Sequence, residues 1–210
     1  MRTTQMDFWS SEFGSNYTDR NIYSTNDLDK DYKETYGYSR TEMNKNFLLN
    51  LPIYNVLEVG CNVGNILRSV QSIDLENLYG IELQPYAVEK SKELCRNINI
   101  IQGSGFDIPF KDYYFDLVYT SGVLIHIAPE DLNKIFDEMY RVSKRYIWGF
   151  EYYSESYSEI QYRGESGKMW KADFAKLFLE RYPSLKLVRE TKYPYLVEGN
   201  IDQMYLLEKV

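Results

Sequence analysis

The chain has 210 residues, 24 Lys and Arg against 31 Asp and Glu, and a formal net charge of -7. That length can bury a full core without disulfide or metal staples. The acidic balance and the lack of Lys/Arg runs argue against nucleic acid as a partner, because such binding rests on neutralising phosphates.

Residues 1–19 carry no apolar core of a secretory signal, and no apolar run approaches the roughly 20 residues that span a bilayer. A cytoplasmic protein with no membrane partner is therefore expected. Cys61 and Cys95 show neither metal-ligand spacing nor a disulfide framework, so both are read as thiols and no metal is expected. Many of the 21 tyrosines fall outside strand-like runs, which points to pocket walls or a lid as well as core. A monomer and a homodimer are both compatible with the sequence.

Residues 1–50 are polar, Tyr-rich and poorly periodic, and are read as an N-terminal cap or lid. Residues 51–210 then alternate between short apolar runs and helical patterns. Strands are expected at 55–59, 78–81, 98–101, 115–119 and 146–150. Helices are expected after the first strand, at 85–95 with Pro85 in a first turn, and from Pro129 onward with Leu132, Ile135, Phe136 and Met139 on one face. This alternation predicts βαβ units and a Rossmann-like, doubly wound, mostly parallel α/β sheet. The period changes afterwards. A helix over 171–181 precedes two strands at 185–190 and 203–208 with no helix between them, which predicts a C-terminal antiparallel hairpin. Residues 152–170 form a long polar, aromatic stretch, read as a substrate-binding excursion.

The first strand ends in Glu58-Val59-Gly60-Cys61-Asn62-Val63-Gly64. Glycines there allow a sharp turn and bring backbone N–H groups against a ligand. A dinucleotide fingerprint would need glycine at 60, 62 and 65, but 62 and 65 are asparagines, and no Walker lysine follows. An ordinary strand-to-helix turn is the plain alternative. Glu82 lies after the second strand, at the separation from Gly60 where an acid can accept from both ribose hydroxyls. Gly80 would let the ligand approach.

The third strand leads into Gly103-Ser104-Gly105-Phe106-Asp107-Ile108-Pro109-Phe110, and the fourth into F-D-L-V followed by Tyr119-Thr120-Ser121-Gly122-Val123-Leu124-Ile125-His126-Ile127. Together with the glycine loop and Glu82, these segments resemble class I S-adenosylmethionine (SAM)-dependent methyltransferases over residues 50–150. Phe8-Trp9, Glu12-Phe13-Gly14 and Tyr17 to Asn21, with the loop E-V-G-C-N-V-G, further resemble the methylases associated with pseudaminic acid biosynthesis.

The resemblance implies the class I methyltransferase fold, SAM as cofactor with S-adenosylhomocysteine as its product, and transfer of a methyl group to a small molecule. The finer resemblance implies a sugar or nucleotide-sugar acceptor of nonulosonic type, in surface-glycan biosynthesis. Cofactor contacts are expected from Glu58, Gly60, Cys61, Asn62, Gly64, Glu82, Leu83, Ser104, Gly105, Phe106, Thr120, Ser121 and Gly122. His126, the only histidine, and Glu151 are the candidate catalytic groups, with a satisfied structural histidine as the alternative. Trp9, Tyr17, Arg20, Tyr152, Tyr153, Tyr162 and Arg163 are the candidate acceptor contacts, the arginines suiting an anionic sugar. A Rossmann dehydrogenase is disfavoured by the unmatched glycine pattern. A catalytically inactive scaffold of the same fold is disfavoured by the intact Gly60, Gly64 and Glu82.

Overall fold

The computed structural model describes residues 3–162, 164–197 and 199–210. Before the first strand the chain forms four helices: α1 (Thr4–Trp9), α2 (Glu12–Arg20), α3 (Thr25–Tyr36) and α4 (Arg40–Leu48). The weak periodicity of this segment concealed helices that are marked by their caps. Thr3, Ser11, Ser24 and Ser39 each accept a backbone N–H of the first turn, and Ser39 with Glu42 completes a capping box. α3 stops at Gly37, which supplies the left-handed residue with φ +82°.

The sheet has seven strands in the order β3-β2-β1-β4-β5-β9-β8. β1 (Asn55–Val59), β2 (Asn77–Glu82), β3 (Ile98–Gln102), β4 (Phe115–Ser121) and β5 (Ser143–Tyr152) run parallel. β9 (Ile201–Lys209) is antiparallel to β5 and to β8 (Leu185–Pro194), as the hairpin reading predicts. α5 (Asn65–Gln71), α6 (Pro85–Leu94) and α7 (Pro129–Val142) are the crossovers. α7 buries Leu132, Ile135, Phe136, Met139 and Val142, a stripe at helical spacing that stabilises the layer by ~1.5–3 kcal/mol per side chain. β3 and β4 are joined by a turn with a Ser104–Asp107 bridge rather than by a helix.

The stretch 152–170, read as an excursion, contains most of an antiparallel hairpin, β6 (Ser158–Tyr162) and β7 (Glu165–Lys171). One expectation is corrected. The helix expected from residue 171 begins at Phe174, capped by Asp173, and is α8 (Phe174–Arg181). Among the described residues no helix is long and apolar enough to cross a membrane.

Candidate active site

Open α/β sheets bind ligands beyond the carboxyl ends of their strands, where the strand order reverses. Here that place, between β1 and β4, opens into a cavity of about 600 Å3. Its floor comes from the strand ends, and α1, α2 and α3 close over it.

The loop after β1 is built from left-handed residues. Gly60, Asn62 and Gly64 have φ of +75°, +48° and +78°. Asparagine tolerates that region better than other side-chain-bearing residues, which explains its place in a glycine-type turn. Gly60 and Asn62 line the cavity, whereas Gly64 does not. A Cβ at Gly64 would meet Cys95 Sγ at 2.7 Å, so that glycine serves packing against α6 and β3. Gly80 is likewise a packing residue: a Cβ there would meet Cys61 Sγ at 2.5 Å.

Glu82 ends β2 with its carboxylate held at both oxygens. The amides of Asn62 and Gln84 each donate to it at 2.8 Å. Enclosure raises its pKa, while these amides and that of Leu83 oppose the shift. Glu58 is buried and accepts from the Tyr119 hydroxyl at 2.9 Å. Burial pushes its pKa up to about 8, against that bond and the nearby Arg40. Leu83, Ser104, Gly105 and Phe106 extend the wall past β2 and β3, and Cys61, Ser121 and Gly122 line its middle. Thr120 alternates away from the cavity and is fully buried.

His126 lies in a short helical turn after β4 and lines the cavity. Its Nδ1 is 2.9 Å from the Lys168 carbonyl, which can only accept, so Nδ1 carries the proton and Nε2 keeps a lone pair. Burial lowers its pKa to about 4, leaving the ring neutral at physiological pH. Trp9 and Tyr162 pack edge-on at ring distances of 4.7 and 5.1 Å. Glu151 is placed differently from its expected role. It does not line the cavity, and its carboxylate accepts from the amides of Val123 (3.2 Å) and Ile125 (3.4 Å). Burial raises its pKa to about 7. Its visible work is to hold the turn that carries His126.

Trp9, Tyr17, Tyr152 and Tyr162 line the cavity. Tyr153 does not; its ring lies under Lys192 Nζ at 3.8 Å. Arg20 is exposed at the end of α2, away from the cavity, and Arg163 lies outside the described residues.

The sequence reading missed several residues. Gln84 donates to the carbonyls of Trp9 (3.2 Å) and Ser11 (3.1 Å), tying the α1–α2 turn to the start of α6. The Thr18 hydroxyl donates to Asn62 Oδ1 at 3.0 Å. Arg40 is fully buried, donates to Asn44 (2.9 Å), Tyr32 (3.1 Å) and Ser121 (3.2 Å), and lies over the rings of Phe150, Trp148 and Tyr32. Its Nη2 is without a partner. Tyr36, Tyr195 and Asp202 form a cluster at the β9 end, where Asp202 accepts from the Tyr36 hydroxyl at 2.5 Å. The one available signal was Asp202 itself, an acid in an otherwise strand-like run. Among the described residues, no cluster of His, Cys, Asp and Glu is arranged to hold a metal.

Solved structures share the fold. The 1,6-didemethyltoxoflavin-N1-methyltransferase of Burkholderia thailandensis, solved with 1,6-didemethyltoxoflavin and S-adenosylhomocysteine, superposes with a TM-score of 0.72. It is 12% identical, over 100% of this chain and 92% of that one. The protein has the class I methyltransferase fold. The magnesium protoporphyrin IX methyltransferase of Synechocystis PCC 6803, solved with SAM, shares this methyltransferase fold at a TM-score of 0.65 and 16% identity, covering 100% and 99% of the two chains. Residues 57–146 match the family model described as a methyltransferase domain. Cycloartenol-C-24-methyltransferase 1 of Oryza sativa subsp. japonica is 31% identical over 99 residues, 44% of this chain and 28% of that one. The match thus spans less than a third of that relative's length.

Proposed function

We propose that this protein is a SAM-dependent methyltransferase acting on a small molecule. The observation that carries the reading is Glu82, a carboxylate fixed by two amides at the mouth of the β1–β2 crevice, where it can accept from paired ribose hydroxyls. The positive-φ loop at 60–64 and the adjacent buried acid Glu58 fit the ammonium of the ligand's amino-acid end. Arg40 stands behind Ser121 and Tyr32 and supplies the compensating positive charge for a carboxylate at that end.

Bound SAM supplies an electrophilic methyl group on sulfur and leaves as S-adenosylhomocysteine. The chain's own task is to align the acceptor with that group and to exclude water. The α1–α2 turn, fastened by Gln84 and Thr18, closes the cavity over the cofactor loop. Neutral His126 presents Nε2 to the attacking atom and takes its proton as the new bond forms, with Lys168 fixing the tautomer. The aromatic walls and hydroxyls suit a polar acceptor with a flat or ring-shaped face. A sugar or nucleotide-sugar of the nonulosonic, surface-glycan type is the finer reading, supported by the motif at Phe8-Trp9 and Glu12-Phe13-Gly14.

Titration calorimetry with SAM, NAD and buffer tests the cofactor. Binding of SAM alone is expected; binding of NAD alone would return the fold to the dehydrogenases.

A further inference from the structure

The cavity has two chemically distinct ends. Glu82 stands at one, on β2, and Asp202 at the other, on β9. The strands between them are β1, β4 and β5, so the two acids are four strand spacings apart, or roughly 19 Å. Asp202 therefore lies well beyond the adenosine, and past the middle of the sheet where Gly60 and Ser121 face each other. Among the described residues that line the cavity, four are acids (Asp31, Glu58, Glu82 and Asp202) and none is Lys or Arg. Glu58 and Glu82 are accounted for by the cofactor. Asp202 is not, although it is 98% shielded from solvent, with a relative exposure of 2%.

Its surroundings are those of a cation site. Tyr36, Tyr152 and Tyr195 pack edge-on beside it, with Tyr36–Tyr195 and Tyr152–Tyr195 centroids 5.0 and 6.5 Å apart. Tyr36 and Tyr195 hydroxyls and the Asn200 amide donate to it. Two cations are nearby, but neither forms an ion pair with it. Lys171 donates to the Asn200 side chain and sits over Tyr152, and Arg40 is bound to Asn44, Tyr32 and Ser121. A carboxylate beside aromatic rings stabilises an ammonium through both charge and ring quadrupole, whereas an anionic acceptor at this end would face the Asp202 charge, with Arg40 already engaged by Asn44, Tyr32 and Ser121.

We infer that the methyl acceptor carries an amine, and that Asp202 binds it as an ammonium within the Tyr36, Tyr152 and Tyr195 frame. This rests on the cavity being the methyltransferase site; it narrows the acceptor to amine-bearing molecules, amino sugars included, and weighs against the anionic nonulosonic and nucleotide-sugar acceptors of the finer reading. Asp202 is a specificity group here: it holds the end of the acceptor remote from the cofactor.

The test uses three probes of similar shape, 2-phenylethylamine, 2-phenylethanol and 3-phenylpropionate, titrated into the protein with and without S-adenosylhomocysteine. The amine is expected to bind about tenfold tighter than the alcohol, and the carboxylate weakest. Asp202→Asn should remove the preference. Tyr195→Leu, which leaves the carboxylate in place, should weaken the amine and leave the alcohol nearly unchanged. In the unaltered protein the preference should fade as the pH drops through about 6, where burial places the Asp202 pKa against the Tyr36, Tyr195, Lys171 and Arg40 contributions that lower it. Equal binding of the three probes, tighter binding of the carboxylate, no binding of the amine, or a preference that survives Asp202→Asn would each overturn the inference. Loss of S-adenosylhomocysteine binding alone would instead count against the cofactor reading, since the amine preference is also read without it.

Discussion

The cofactor end and the acceptor end of the cavity are built by different means. The first is made largely from backbone: three left-handed residues within five positions, and amides aimed at one carboxylate. The second is made from side chains brought from α1, α3, β5 and β9, segments up to nearly two hundred positions apart. A backbone-built site depends on local conformation, so single changes there should abolish binding. A side-chain site is assembled by tertiary packing, so changes there should grade specificity.

The largest effect is expected at Gly60. Valine there would need the +75° φ that β-branched residues resist, and its Cβ would meet Val123 at 2.7 Å, displacing the turn that carries His126. The obstruction is to that turn rather than to the ligand's own space. Calorimetry should detect no SAM binding to Gly60→Val; normal affinity would make the loop an ordinary turn. Glu82→Ala comes next. It removes the proposed ribose contacts and frees the Asn62 amide, so SAM affinity should fall by ~2–4 kcal/mol, about 30- to 1,000-fold.

At His126 the effect should separate binding from chemistry. His126→Gln should lower kcat by about 100-fold or more with SAM affinity unchanged, as expected for loss of a proton acceptor. An unaltered kcat would reduce the histidine to a packing role. Smaller again is a pH effect on stability without ligand. Glu58 titrates near 4.5 when free and about 8 when folded, so between those values the folded state keeps a proton that the unfolded state has lost. Its contribution is present below 4.5 and is lost as the pH rises through 8; Glu151 behaves likewise up to about 7. His126, lowered from 6.5 to about 4, acts with the opposite sign only below 6.5. The melting temperature should therefore fall between pH 6.5 and 8, and Glu58→Gln should flatten that fall. A rising melting temperature over this window would contradict the buried, protonated Glu58.

The same contrast explains what could be read from the residues alone. Short runs such as Val56, Leu57 and Val59, alternating with helical patterns, are local signals, so the parallel strands and the helices between them were legible. The helices of residues 4–48 were not, because their signal is capping by Thr3, Ser11, Ser24 and Ser39 rather than periodicity. Arg40 and Asp202 could not be placed in the site, Asp202 being marked only as an acid in a strand-like run, because their partners, Ser121 and Tyr36, lie 81 and 166 positions away. Glu151 was expected in the crevice from its position at the end of β5, but strand geometry alone could not tell that Val123 and Ile125 would take its carboxylate and keep it out of the cavity lining. Arg20 was chosen for its chemistry, and the turn of α2 directs it to solvent.

A crystal structure of the complex with S-adenosylhomocysteine tests the division of the cavity most directly. The account predicts ribose hydroxyls within hydrogen-bond distance of Glu82, the sulfur over the β1–β4 gap near Gly60 and Ser121, and no contact from the ligand to Asp202. A ribose turned away from Glu82, or a ligand reaching across to Asp202 and Tyr36, would contradict it.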